Sequence, residues 1–207
     1  MASKKKTLVK GGLLEMAVET RSRIRLVTAT AALLWGIEII DYVIFSGGLD
    51  MFGVRPLAVS GLTGILFAPF LHGSFGHLMA NTLPWLLLGF LTMGRKRLDF
   101  WVVCIVSALT AGLGSWIFGG SGTVHIGASG VVFGFLGFLM GRGIWERRIG
   151  SILLSVSVTV LFGSMLFGML PVLAGVGISW QAHLFGWLGG LFVARTLGKA
   201  RNGEPKR

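Results

Sequence analysis

Long apolar runs separated by short basic or glycine-rich breaks dominate the chain, at about residues 24–45, 76–93, 100–118, 128–140, 152–171 and 178–194. Apolar runs with so few charged residues, repeated along a chain, belong to helices that cross a membrane. Six such runs predict an all-α polytopic membrane protein, a six-transmembrane-helix bundle. The fourth is short for a hydrocarbon core about 30 Å thick, so its outer end is expected to begin below the membrane surface. Pro84 is expected to bend the second. Residues 46–71 hold Asp50, Arg55, Pro56 and Pro69 among many apolar side chains. That stretch is too apolar for a solvated loop and too interrupted for a crossing. It predicts a partly embedded loop with short helices, packed on protein.

Composition supports the membrane reading. Of 207 residues, 53% are hydrophobic and 13% charged, with a mean hydropathy of +0.78; soluble domains carry about 25% charged residues. The net charge of +11 raises nucleic acid as a partner, but the basic residues do not gather on one soluble face. They cluster in the N-terminal tail, at Arg95-Lys96-Arg97, at Arg142, Arg147 and Arg148, and from Arg195 onward, with Arg55 the exception. Alternate loops therefore carry nearly all the positive charge. This predicts cytoplasmic termini and a lipid bilayer, not nucleic acid, as the partner. Basic tails at 1–23 and 197–207 are expected to flank a membrane domain at 24–196. Within the first tail, residues 13–25 fit a short surface helix and a solvated segment equally well. The first run is expected to act as an uncleaved anchor. The single cysteine, Cys104, excludes an intrachain disulfide and a cysteine metal cluster.

In that topology the second, fourth and sixth runs all start from the outer face. Their first turns carry His77 and Asn81, then Ser129, then His183. Polar side chains at membrane depth are costly and face a partner or water, so this coincidence predicts one site. Ser129 stands in Gly127-Ala128-Ser129-Gly130 at a helix start, where free N–H groups and the dipole favour developing negative charge. His183 opens the stripe His183-x-x-Gly186-x-x-x-Gly190, whose glycines can pack on the small surface of Gly130 and Gly134. That packing would bring the imidazole to the Ser129 hydroxyl, as nucleophile activation requires. Taken alone, His183 also reads as a histidine bonded to a neighbouring backbone carbonyl. His77 and Asn81, at i and i+4, share a face and suit either an oxyanion hole or interhelical hydrogen bonding. His72 is expected to hold water or a loop carbonyl, and His125 to sit solvated at the interface. Glu38 and Asp41 are expected to pair with the first loop, for instance Arg55, or meet interfacial water, with Asp41 orienting His183 as a further alternative.

Assembled, these residues resemble the signature of rhomboid intramembrane serine proteases, in their minimal six-span bacterial form. The matching pieces are His72-x-x-x-x-His77-x-x-x-Asn81, Gly127-Ala128-Ser129-Gly130 and Ala182-His183-x-x-Gly186-x-x-x-Gly190, and the resemblance covers about residues 24–196. It implies a dyad of Ser129 as nucleophile and His183 as base, without an acid, a metal or a cofactor. Asn81, His77 and the Ser129 backbone N–H would form the oxyanion hole, and Phe133 would pack on the histidine. It further implies transmembrane protein substrates, a bacterial plasma-membrane location, and lateral substrate entry by movement of the fifth run, where Gly163, Ser164 and Gly168 permit bending. The first loop departs from members with a Trp-Arg pair, having Phe52-Gly53-Val54-Arg55-Pro56 instead.

Three rival readings share the same residues. A rhomboid-like pseudoprotease would bind transmembrane helices without cutting, although the presence of both Ser129 and His183 argues against it. A haem protein would use His77 and His183 as axial ligands and show a Soret band. A small-solute channel would use the polar cavity, but the runs show no internal repeat of the usual transporter kind.

Overall fold

The computed structural model describes residues 2–173, 175 and 177–203, with side chains between 12 and 201 apart from the same gaps. Of the expected tails, Met1 and residues 204–207 lie outside the described residues. The helices are α1 (Ala2–Ile40), the one-turn α2 (Gly64–Phe67), α3 (Phe75–Thr92), α4 (Leu98–Phe118), α5 (Ser129–Glu146), α6 (Ile149–Phe162) and α7 (Trp180–Gly203). Among the described residues, β structure is limited to one antiparallel bridge between Val54 and His125.

Several boundaries depart from the expected runs. The first tail is helical: α1 has 39 residues, about 58 Å at 1.5 Å per residue, far more than a bilayer core needs. It ends in a π-helical turn, Asp41–Phe45. The fifth run leaves α-helical geometry at Phe162 and continues as a 3₁₀ segment, Gly163–Met169. Pro84 lies inside α3, which continues to Thr92.

The expectation of six crossings is met only in part. Three segments are long and apolar enough to cross a membrane, Gly12–Phe45, Leu98–Phe118 and Ile149–Met169. The pair Val59–Phe70 and Phe75–Thr92, bent by 67°, would make a fourth. α5 and α7 fall short because glycines and terminal charged residues dilute their hydropathy. α5 lies at the centre of the bundle, packed against α3, α4, α6 and α7. Nearly all of its circumference meets protein rather than lipid, with Val132, Phe135, Leu136, Phe138 and Leu139 almost fully buried.

Glycine decides how α5 meets α7. A Cβ on Gly186 would run into the Gly130 carbonyl, and one on Gly190 into the Gly134 carbonyl. The two backbones are therefore in direct contact along the small-residue faces of both helices. Beside this seam, the Phe135 ring packs 5.2 Å from Phe100 and 5.4 Å from Trp85, tying α5 to α4 and α3.

At the end of the bundle away from the starts of α3, α5 and α7, a charge cluster joins four elements. Arg201 of α7 donates to both Asp99 carboxylate oxygens of α4, at 2.6 and 2.8 Å, and to Glu146 of α5 at 3.1 Å. Arg142 and Arg95 also reach Glu146, at 3.2 and 3.3 Å. Burial alone would raise the Glu146 carboxyl, but the Ser151 hydroxyl and then the Arg142 and Arg95 charges bring it down to about 2. Its contribution to stability is complete above the ordinary value of 4.5 and is lost as pH falls toward about 2.

The first loop is embedded and anchored through its backbone. Trp116 Nε1 donates to the Ala58 carbonyl at 2.8 Å, and Leu57 N–H to the Trp116 carbonyl at 3.0 Å. The loop also pairs with the stretch before α5, through the Val54–His125 bridge and the bond from Gly127 N–H to the Ala68 carbonyl at 2.8 Å. Asp41 does pair with the first loop, but through a backbone N–H rather than through Arg55. Arg55 donates to the Met51 carbonyl at 3.1 Å, and the buried Asp41 accepts from Leu49 N–H at 2.9 Å. A free N–H in the first turn of a 3₁₀ helix offers that carboxylate a partner already in place.

Gly190→Val should destabilise the protein by about 3 kcal/mol or more, as overpacking at a backbone contact does. Gly150→Val, where a Cβ meets nothing within 4 Å, should change stability by less than about 1 kcal/mol. Unfolding in detergent micelles measures both.

Candidate active site

The stretch before α5 runs against the first loop and then turns sharply at Gly127. Gly127 has φ +120°, a conformation that favours glycine, and a Cβ there would meet the His77 ring at 2.7 Å. The turn delivers Ser129 as the first residue of α5. Across the seam, the first turn of α7 carries His183. The backbone contact one turn further along, at Gly130 and Gly186, holds the two starts side by side.

His183 Nε2 lies 2.9 Å from Ser129 Oγ, and its Nδ1 lies 3.0 Å from the Gly168 carbonyl. A carbonyl can only accept, so Nδ1 carries the proton and Nε2 presents its lone pair to the serine hydroxyl, which donates. The two readings of His183 left open by the sequence, serine partner and carbonyl-bonded histidine, hold together in one ring. Neither nitrogen is free for axial haem ligation, and Asp41 is not the orienting group. Phe133 stacks on the imidazole with centroids 4.1 Å apart and planes 10° apart. His183 is 8% exposed, so the pair is shielded without being sealed.

Ser129, His183, Phe133, His77 and Asn81 line one cavity of about 500 Å³, closed further by Ser74, Ile126 and residues 177–179. Ser74 caps α3, accepting from His77 N–H at 3.1 Å, and so sets where His77 and Asn81 enter the cavity wall. Asn81 Nδ2 donates to the His77 carbonyl at 3.1 Å, leaving its second N–H and its oxygen for other partners. Among the described residues, no group of three or more His, Cys, Asp or Glu is placed to hold a metal ion.

Two further histidines were singled out by the sequence. His72 is fully buried: its Nε2 accepts from Ala128 N–H at 3.3 Å, and the backbone of the loop residue Phe70 also bears on the ring. Burial, aided by the neighbouring His77, holds it down to about 4. His125 is half-buried rather than solvated, because its bridge to Val54 tucks it beneath the start of α7. Its Nδ1 lies 2.8 Å from Ser179 Oγ and its Nε2 2.9 Å from Thr123 Oγ1, and burial lowers its pKa.

Ser179 escaped the sequence reading, and Gly168 entered it only as a point where the fifth run could bend. Ser179 accepts from Ala182 N–H at 3.2 Å, a helix cap that a serine three residues ahead of an apolar run could have signalled. Gly168 acts through its carbonyl, for which a sequence carries no mark.

The geometry defines a class, a helical membrane-type bundle with a serine–histidine pair beside a polar cavity. Comparison with known proteins then supplies the family. The rhomboid domain matches residues 59–200, and the chain belongs to the rhomboid family. It is a membrane protein. It is 42% identical over 195 residues to the uncharacterised protein Rv1337 of Mycobacterium tuberculosis, covering 84% of this chain and 80% of that one. An uncharacterised protein of Mycobacterium bovis matches to the same extent. An uncharacterised protein of Mycobacterium leprae is 41% identical over 174 residues, 80% of this chain and 68% of that one.

Because His72 is buried neutral, the folded state binds fewer protons than the unfolded one between about pH 6.5 and 4. Stability should therefore be complete above 6.5 and fall by up to about 3 kcal/mol as pH drops toward 4. His72→Gln should flatten that dependence, measured as unfolding midpoints across the range.

Proposed function

We propose that the protein is an intramembrane serine endopeptidase that cuts transmembrane helices near the outer membrane face. The observation that carries this reading is the 2.9 Å contact between Ser129 Oγ and His183 Nε2, with Nδ1 already protonated. Membership of the rhomboid family supports it. Ser129 Oγ attacks the scissile carbonyl while His183 Nε2 takes its proton. Asn81, His77 and the Ser129 N–H, at the positive end of α5, stabilise the oxyanion. The imidazolium then protonates the departing amine, leaving an acyl-enzyme on Ser129. Water from the cavity attacks that ester with His183 again as base, and the acid product leaves.

A substrate helix hides its carbonyls in its own hydrogen bonds, so it must unwind before Ser129 can reach one. Glycines and other poor helix formers near its outer end favour that step. The charge pattern supports six crossings with both termini cytoplasmic. In that arrangement residues 24–196 form the catalytic membrane domain between two basic tails, and the cavity opens on the outer side of a bacterial plasma membrane. α5 crosses covered by protein, and α7 beside it with Leu188 and Phe192 facing outward.

A fluorophosphonate probe should label the wild type at Ser129 only. Labelling should vanish in Ser129→Ala and fall at least 10³-fold in His183→Ala, read by gel fluorescence and mass spectrometry. Persistent labelling in Ser129→Ala would overturn the nucleophile, and an inert wild type would leave the helix-binding pseudoprotease. Asn81→Ala should lower the cleavage rate of a transmembrane substrate about 10²-fold, with little change in KM.

A further inference from the structure

We infer that the Gly168 backbone carbonyl is the orienting partner of the base, doing for His183 what a carboxylate does in a three-residue triad. This rests on the proposed reading of Ser129 and His183. Gly168 belongs to the 3₁₀ segment Gly163–Met169, whose last carbonyls have no partner within the segment. One of them accepts from His183 Nδ1 at 3.0 Å. In neutral imidazole, the bond made by one nitrogen decides whether the other carries a proton. With the carbonyl in place, Nε2 is a lone pair aimed at Ser129. Without it, the proton is free to sit on Nε2, where the ring donates to the hydroxyl and cannot act as its base.

The site leaves little room for a side chain. A Cβ on Gly168 would lie 3.2 Å from His183 Nδ1 and 3.5 Å from Phe133 Cζ. An alanine Cβ would require the ring to give by a few tenths of an ångström, and a branched side chain would push the carbonyl away from the ring it serves, or the ring off Phe133. Gly163, in the same segment, has its nearest contact at 4.0 Å, on Thr159. The restriction on size therefore belongs to the position, not to the segment. Gly168 is accordingly a positioning residue. It touches the base and nothing that reacts.

The test uses the full chain labelled with ¹⁵N-histidine, which gives four side-chain spin systems, with His183 assigned by its loss in His183→Ala. At pH 8, above the ordinary histidine range, the wild type should show His183 with Nδ1 protonated and Nε2 bare. Gly168→Val should shift the ring toward the Nε2-protonated form and slow fluorophosphonate labelling at saturating probe by at least about tenfold. Gly168→Ala should do so partially, and it carries the comparison if the valine variant does not fold. Gly163→Val should match the wild type in both readouts. If the His183 Nδ1–H signature survives unchanged in Gly168→Val and Gly168→Ala, the inference is overturned, whatever the labelling rate does. A wild type that fails to label at Ser129 counts against the protease reading alone, since the tautomer is read without catalysis.

Discussion

Contact between two backbones is the constraint from which the rest of the molecule follows. Helices in lipid gain little by hiding apolar side chains from their surroundings, because the surroundings are equally apolar. What remains is close packing. α5 and α7 achieve it by leaving Gly130, Gly134, Gly186 and Gly190 bare, so that carbonyls of one helix touch the other. This closeness lets a short side chain such as serine reach an imidazole on the neighbouring helix. The Asp99–Arg201–Glu146 cluster fastens the same helices at their far ends. With both ends held, the first turns of α5 and α7 have little freedom to drift apart.

Much of this was legible in the sequence, and for identifiable reasons. A spacing of three and four residues translates directly into one helix face, so the small-residue stripes and the His77–Asn81 pair could be read without coordinates. Alternating charge gave the order of helix directions, which places the starts of α3, α5 and α7 together. Hydrogen bonds that run through backbone atoms were not legible. The Gly168 carbonyl, the Leu49 N–H that receives Asp41 and the Ala128 N–H that reaches His72 have no signature in residue identity. His125 was misread because its burial depends on one β-bridge between segments some 70 residues apart, a contact with no periodicity to announce it. Composition left the stretch over 13–25 open between a helix and a solvated segment; the structure makes it helical, since propagation from a stable helix costs little per added residue.

A serine hydroxyl is a poor nucleophile until a base shares its proton, and a base works only in the right tautomer. A buried carboxylate is the common means of holding that tautomer, and here it would bring a second charge into a low-dielectric bundle. The Gly168 carbonyl makes its contact with His183 Nδ1 while neutral. The surroundings of His183, an aromatic face on one side and a carbonyl beyond, are consistent with a base that functions where charge is hard to solvate. The mycobacterial relatives, similar over most of their length, are the natural proteins in which to look for the same arrangement.

The first loop makes the two flanks of the bundle unlike. It is stitched to α4 by the Trp116 indole and to the approach of α5 by the Val54–His125 bridge, so that flank behaves as a rigid lintel. The opposite flank is hung differently. Val160, Leu161 and Phe167 of α6 and its 3₁₀ continuation are 77%, 72% and 60% exposed, while the inner face of the same segment bonds to α5 through Ser155 and to His183 through Gly168. One flank is thus held by loop-to-helix hydrogen bonds, while the other turns an unbroken apolar wall straight to the bilayer.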